Sequence, residues 1–371
     1  MRLFSPERAW YARCAVSSLP IQISAPGSIP QAVHKARALE ALGAYPYAAP
    51  VWLRDPHVQT VWAPFFRRAP RTARRVECVE TQDADFVELH IADGERGSPA
   101  ALLLHGLEGS ADSKYILGVT AKLRAIGWTA IAMEFRGCSR RVGRARRLYH
   151  SGETTDLAVV AQRLAARYPR LYIAGFSLGG NVLAKWLGES ADDVPANVCA
   201  AAAISVPYDL TVSGPHIDRV LGGLYSRHFL RTLVRKAEEK ERQYPGCVDL
   251  ARVRAARTLY EFDDAATAVL HGFRGANHYY ETQRSGPYLP GVRVPLLLLS
   301  AADDPFNPAS TLPRAAADRS DYLHPLFTER GGHVGFVYGP PGLTRYWAEE
   351  QIVRFFQAYD SIADEGVLDA S

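Results

Sequence analysis

Cysteine is scarce, with five in 371 residues: Cys14, Cys78, Cys138, Cys199 and Cys247. Odd in number and far apart, they fit neither a disulfide framework nor the paired spacing of a zinc site, and a reducing compartment is the plainer inference. Long apolar runs are missing as well. Stretches such as "CAAAAISV" from Cys199 stop well short of the roughly 20 residues that a membrane-spanning helix needs. Net charge is small, +4 from 43 basic and 39 acidic residues, and the arginines are scattered through ordinary segments, which excludes a nucleic-acid footprint. The opening "MRLFSPERAWYARCAVSSLP" puts charges and a proline where a secretory signal needs an unbroken apolar core. No HExxH, P-loop or GxGxxG pattern occurs, so neither a metal nor a nucleotide cofactor is expected. These gaps predict a cytoplasmic protein without a nucleic-acid partner or an integral membrane segment, with peripheral membrane contact left open.

What is present is apolar content: 47% of residues are hydrophobic, enough for a large core. From about residue 75, short apolar runs alternate with helical periodicity, the sequence form of a mostly parallel sheet with crossover helices. Strands are expected at 86–91, 101–104, 128–133, 171–174, 198–206, 296–300 and 322–328. Helices are expected at 114–126, 153–168, 180–189 and 343–359. The rhythm breaks between Pro207 and about Leu289, where the spacing of Ile217, Val220, Leu221, Leu224 and Phe229 predicts an amphipathic helix. The organisation expected is an extension over residues 1–45, partly disordered and outside the core, then a domain over 46–371 with a largely helical cap inserted at about 208–290.

Gly175-Phe176-Ser177-Leu178-Gly179 has the form G-x-S-x-G between a strand and a helix, the context in which a sharp turn exposes a nucleophilic serine. Close passage of the neighbouring backbones requires residues without a Cβ, which the glycines supply. Serine alone is a weak nucleophile and needs a base, an orienting acid and oxyanion donors. "ALLLHGLEGS" at 101–110 ends a buried strand so that the Leu107 amide can face the site; Leu107 and Leu178 are the expected oxyanion donors. The chain order serine, acid, histidine then selects an acid in "PLLLLSAADDPFNP" and a histidine in "FTERGGHVGF". Asp304, just before Pro305, is the choice for the acid, with Asp303 the alternative; the histidine is His333. In this scheme His333 takes the Ser177 proton and Asp304 holds the imidazole. Leu221, Leu224, Tyr225, Phe229 and Leu233 are candidates for an acyl pocket, and "RRVGRARRLYH" from Arg140 reads as a solvated basic loop.

With these residues in place the sequence resembles the YheT-like family of α/β-hydrolases, AB hydrolase family 4. The resemblance rests on "DPHVQTVW" at 55–62, "HGLEGS", "FRGCS" at 135–139, "YHSGETTDL" at 149–157, "GFSLGGN", "FDDAATAVLHGF" at 262–273, "DDPF" and "GGHVGF", and spans about residues 46–360. The family usually carries Asn where this chain has Glu134, and seldom has such an N-terminal extension. The resemblance implies an α/β-hydrolase fold and a serine esterase or lipase acting on medium-chain acyl esters or lipids. Three rivals share the residues or the fold: an acyltransferase to alcohols, a peptidase, and a non-catalytic ligand-binding protein.

Overall fold

The computed structural model describes residues 30–139, 141 and 143–368. Eight strands form one sheet: β1 Arg75–Glu80, β2 Phe86–Ala92, β3 Ala100–Leu104, β4 Thr129–Glu134, β5 Leu171–Phe176, β6 Val198–Ile204, β7 Leu296–Ala301 and β8 Leu323–Thr328. Their order is β1-β2-β4-β3-β5-β6-β7-β8. β1 and β2 run antiparallel to their neighbours and the remaining pairs are parallel. All seven expected strands are present to within a few residues. β1 was not expected: its sequence, RVECVE, alternates polar and apolar side chains on an exposed edge, where charge blocks further strand pairing.

β3, β4, β5 and β7 are buried along their whole length, as parallel strands covered on both faces must be. Alternation divides their side chains between two cores. Leu102, Leu104, Ile131 and Ile173 meet Leu157, Val160 and Leu164 of the helix Thr155–Ala165 and Val182 and Leu187 of the helix Leu178–Ser190 on one face. On the other, Leu103, Ala132, Tyr172 and Phe176 meet the helix Lys114–Ala125 and the C-terminal helix Trp347–Leu368.

Two expectations are corrected. Residues 31–43, part of the predicted extension outside the core, form a helix whose Ala38 and Leu42 join the second core, and its Lys35 ammonium donates to the Ser320 carbonyl at 2.6 Å. Its apolar positions are sparse, so its burial is set by the partner surface. Residues 1–29 of that extension, with the disorder predicted for part of it, lie outside the described residues. The amphipathic helix expected through Ile217 to Phe229 is broken: helices span Leu210–Ile217 and Leu224–Gln243, and between them Leu221 and Gly222 adopt left-handed angles. Gly222-Gly223 permits this reversal. The segment does carry a small core of its own, built on Ile217, Leu230, Leu233, Val253, Phe262 and Leu270. No described helix is long and apolar enough to cross a membrane.

Candidate active site

The parallel register sets Leu104 beside Gly175 and Phe176 beside Ile204, so the residues following β3, β5 and β6 emerge along one edge of the sheet. Ser177 follows β5 with φ 51° and ψ −117°, angles that a residue with a Cβ adopts only under strain. Its N–H donates to the Ile204 carbonyl at 2.8 Å and its carbonyl accepts from Asn181 N–H at 3.0 Å, which fixes the turn on both sides. A Cβ on Gly179 would lie 2.5 Å from the His105 carbonyl, and one on Gly175 would lie 2.4 Å from the Gly179 carbonyl. Glycine is therefore a steric requirement here.

The loop after β3 lies against this turn: a Cβ on Gly106 would stand 3.2 Å from that of Ser177. Buried His105 locks the loop, its Nδ1 2.8 Å from the Gly106 carbonyl and its Nε2 accepting from Phe135 N–H at 3.2 Å. Burial depresses its pKa to about 4, so the ring is neutral, with Nδ1 as donor. Gly106 N–H donates to the Tyr115 hydroxyl at 2.9 Å. Glu108, itself at positive φ, donates its N–H to the Tyr149 hydroxyl at 2.8 Å. Its carboxylate accepts from Tyr149 Oη at 2.8 Å and from Lys236 Nζ, on the cap, at 2.7 Å. Burial disfavours the Lys236 ammonium, but Cys138 and Glu108 beside it hold its pKa above the ordinary lysine value. Leu107 thus sits between two anchored residues. Leu178 is the first residue of its helix, where an amide N–H has no partner within the helix.

His333 and Asp304 come together. His333 Nδ1 lies 2.9 Å and 3.1 Å from the two Asp304 carboxylate oxygens, and the side chain of Asp304 is 1% exposed. Phe306 N–H, Asn307 N–H and the Asn307 amide group donate to that carboxylate at 2.7, 3.2 and 3.2 Å. Phe306 stacks on the imidazole with centroids 4.2 Å apart. Asp303 turns elsewhere and accepts Gly332 N–H at 2.9 Å, supporting the histidine loop. Thr60, within "DPHVQTVW", accepts His333 N–H at 2.9 Å; that quoted stretch was the sequence signal for an otherwise missed contributor. Lys236, Glu108 and Tyr149 were also missed, since they come from three distant segments with no shared spacing.

Ser177, His333, Leu107 and Leu178 line one cavity of about 710 Å³, within the range of small-molecule sites. Much of the remaining wall is apolar and comes from the cap. Leu224, Tyr225, Phe229 and Leu233 of the proposed acyl pocket are on it, whereas Leu221 is 52% exposed and is not part of the wall. His150 and His271 line it too, and form with Glu153 a group of potential metal ligands. However, Arg147 donates to Glu153 at 2.6 Å, so a cation there would meet a guanidinium. In the predicted basic loop Arg141, Arg144 and Arg146 are exposed as expected, Arg140 lies outside the described residues, and only Arg147 is partly covered, bound to Asp83 at 2.8 Å as well.

A strained serine after the fifth strand, a buried Asp–His pair after the last two, and an eight-stranded, mostly parallel sheet define an α/β-hydrolase. Residues 99–340 match the family model of the alpha/beta hydrolase fold, and the chain belongs to the YheT-like branch of that family. It is 34% identical over 310 residues to the esterase candidate YheT of Escherichia coli (strain K12), covering 82% of this chain and 90% of that one. It is 29% identical to "Phospholipase ABHD3" of Mus musculus, covering 79% of this chain and 74% of the relative. Among solved structures, the Pyrococcus furiosus esterase Pf2001 shares the fold with a TM-score of 0.53 and 15% identity, over 80% of this chain and 95% of that one.

Proposed function

We propose that the protein is a serine-dependent carboxylic ester hydrolase acting on medium-chain acyl esters or lipids. The observation that carries this reading is a single apolar cavity whose wall holds Ser177, His333 and the Leu107–Leu178 pair, with the Asp304 carboxylate behind the imidazole. In this reading His333 takes the Ser177 hydroxyl proton as oxygen attacks the ester carbonyl. Asp304 keeps the remaining N–H at Nδ1 and supports the imidazolium. The amides of Leu107 and Leu178 donate to the oxyanion, and each such donor is worth about 10²- to 10³-fold in rate. His333 then gives its proton to the departing alcohol, and water, activated by the same base, releases the acyl group from Ser177. The segment 208–290 serves as the cap that shapes the acyl site.

The test is a p-nitrophenyl ester series from short to long chains, run on the native protein and on Ser177→Ala. Turnover in the variant is expected to fall by at least about 10⁴-fold, with the native optimum at intermediate length. A fluorophosphonate probe should label Ser177; equal turnover by the two proteins, or labelling at another serine, refutes the reading.

A further inference from the structure

Two elements that carry exposed apolar side chains contribute to the cavity wall. One is the helix Pro56–Phe66, where Phe65 is 72% and Phe66 is 65% exposed; Phe65 lines the cavity. The other is the turn and first half of the helix Leu224–Gln243, where Leu221 and Leu224 are more than half exposed; Leu224 and Arg231 line the cavity. His57 Nδ1 and the Tyr225 hydroxyl, 3.1 Å apart, join the two elements. Large aromatic side chains this exposed mark a surface that meets something apolar.

Charge identifies what it meets. Residues 56–76 contain five arginines and no Asp or Glu, and residues 224–237 contain three arginines, one lysine and no acid. Of these nine, Arg67, Arg74, Arg75 and Lys236 are ion-paired to acids elsewhere in the chain; Arg227, Arg231 and Arg235 form no ion pair among the described residues, and Arg227 and Arg231 line the cavity. Beyond Phe66 the chain lines a second cavity with Arg68 and Arg71, and among the described residues neither forms an ion pair. Exposed apolar side chains together with these unpaired arginines fit an amphiphile layer with anionic headgroups: rings and leucines enter the acyl region while guanidiniums meet phosphate.

We propose that these side chains dock the protein onto an anionic lipid surface, so that an acyl ester passes from the layer into the cavity. The proposal rests on the reading of Ser177 as an ester-cleaving nucleophile, but it is tested apart from it. Native protein and the Phe66→Ser/Leu221→Ser variant are sedimented with vesicles of phosphatidylcholine, with and without added phosphatidylglycerol. Both substituted residues are exposed and lie off the cavity wall, so turnover of a water-soluble short-chain ester should be the same in the two proteins.

The native protein is expected to partition about tenfold more strongly onto the anionic vesicles, and less so at high salt. The double variant should lose about tenfold or more of that binding. Arg68→Glu should lower binding to anionic vesicles about fivefold and leave binding to neutral ones unchanged. Equal binding by native and double-variant protein, or none by the native protein to either vesicle, overturns the proposal. So does concentration-dependent dimerisation in solution that the double variant abolishes, which would make a second copy the occupant. Loss of soluble-ester turnover in Ser177→Ala reports on the nucleophile alone, so the two readings fail separately.

Discussion

At the floor of the site, the glycines of the turn around Ser177 face backbone at 2.4–2.5 Å from where a Cβ would stand, whereas Gly222, Gly246 and Gly272 in the cap have nothing within 4 Å of that position. The cap glycines, all at positive φ, are needed to turn the chain, whereas those beside Ser177 are needed to let two segments touch. The floor is held by backbone against backbone, and its geometry cannot drift without separating β3 from the helix after Ser177. The cap is held by side chains: its own apolar core and a few polar ties, of which Lys236–Glu108 reaches the loop after β3. Damage at the floor should therefore destroy turnover, and damage in the cap should adjust it.

The largest effect that would test this contrast is Gly179→Ala. The added methyl meets the carbonyls of His105 and Leu104 at 2.5 and 2.7 Å, so the amides of Leu107 and Leu178 are pushed apart. The expected cost is about 1–3 kcal/mol of stability and about 10²- to 10³-fold in kcat/KM, read by thermal melting and ester kinetics. Gly222→Ala is the matched control in the cap. It incurs only left-handed backbone strain of about 1–2 kcal/mol and should leave kcat/KM as it was. Equal kinetic losses at the two glycines would erase the distinction between floor and cap.

A smaller effect probes the tie between the regions. Lys236 is a positioning residue: it touches Glu108, which holds the loop that carries Leu107. Removing its charge leaves a buried carboxylate with Tyr149 as its main partner. Lys236→Met is expected to lower kcat about 10-fold, a fraction of one oxyanion donor, with KM little changed. Lys236→Arg should restore most of the rate, and Lys236→Met combined with Glu108→Gln should recover the stability lost on unpairing the carboxylate. A rise in KM at constant kcat would place Lys236 on the substrate instead of behind the loop.

The same division explains what the sequence made legible. Buried parallel strands must be apolar on both faces, so they read as short runs, and the strained turn must have glycines, so Ser177 is announced by its neighbours. Asp304 and His333 follow because strand order in this architecture fixes which loops meet. Of the adjacent acids, only the fold separates Asp304, on the imidazole, from Asp303, on the Gly332 amide. The edge strand β1 and the helix 31–43 escaped notice because each is buried on one side only, and that side is defined by its partner. The Glu108–Tyr149–Lys236 tie joins positions 41 and 128 residues from Glu108, a juxtaposition to which no local pattern points.

The smallest expected effect concerns charge inside the cap. Asp263 lies in a π-helical turn spanning Asp263–Thr267, on the cavity wall. It accepts hydrogen bonds from Tyr280 Oη at 2.7 Å and Thr267 Oγ1 at 2.6 Å. Burial nevertheless pushes its pKa up to about 6 from 3.8. Between those values the folded protein holds a proton that the unfolded chain has released. The stability contributed by the protonated carboxyl is complete below about pH 3.8 and is lost as pH rises through about 6. Buried His150 and half-buried His271 act in the opposite sense: their pKa values are depressed to about 3, chiefly by desolvation. The stability of their neutral form is present above the ordinary histidine pKa and lost as pH falls towards 3. The native protein should therefore still be labile to acid, and the Asp263 contribution should emerge only by difference. Asp263→Asn carries no titrating group, so the native-minus-variant melting temperature should fall by a few degrees between about pH 4 and pH 6.5. A difference independent of pH would mean that Asp263 is ionised throughout, and that the cap tolerates a buried negative charge on the cavity wall.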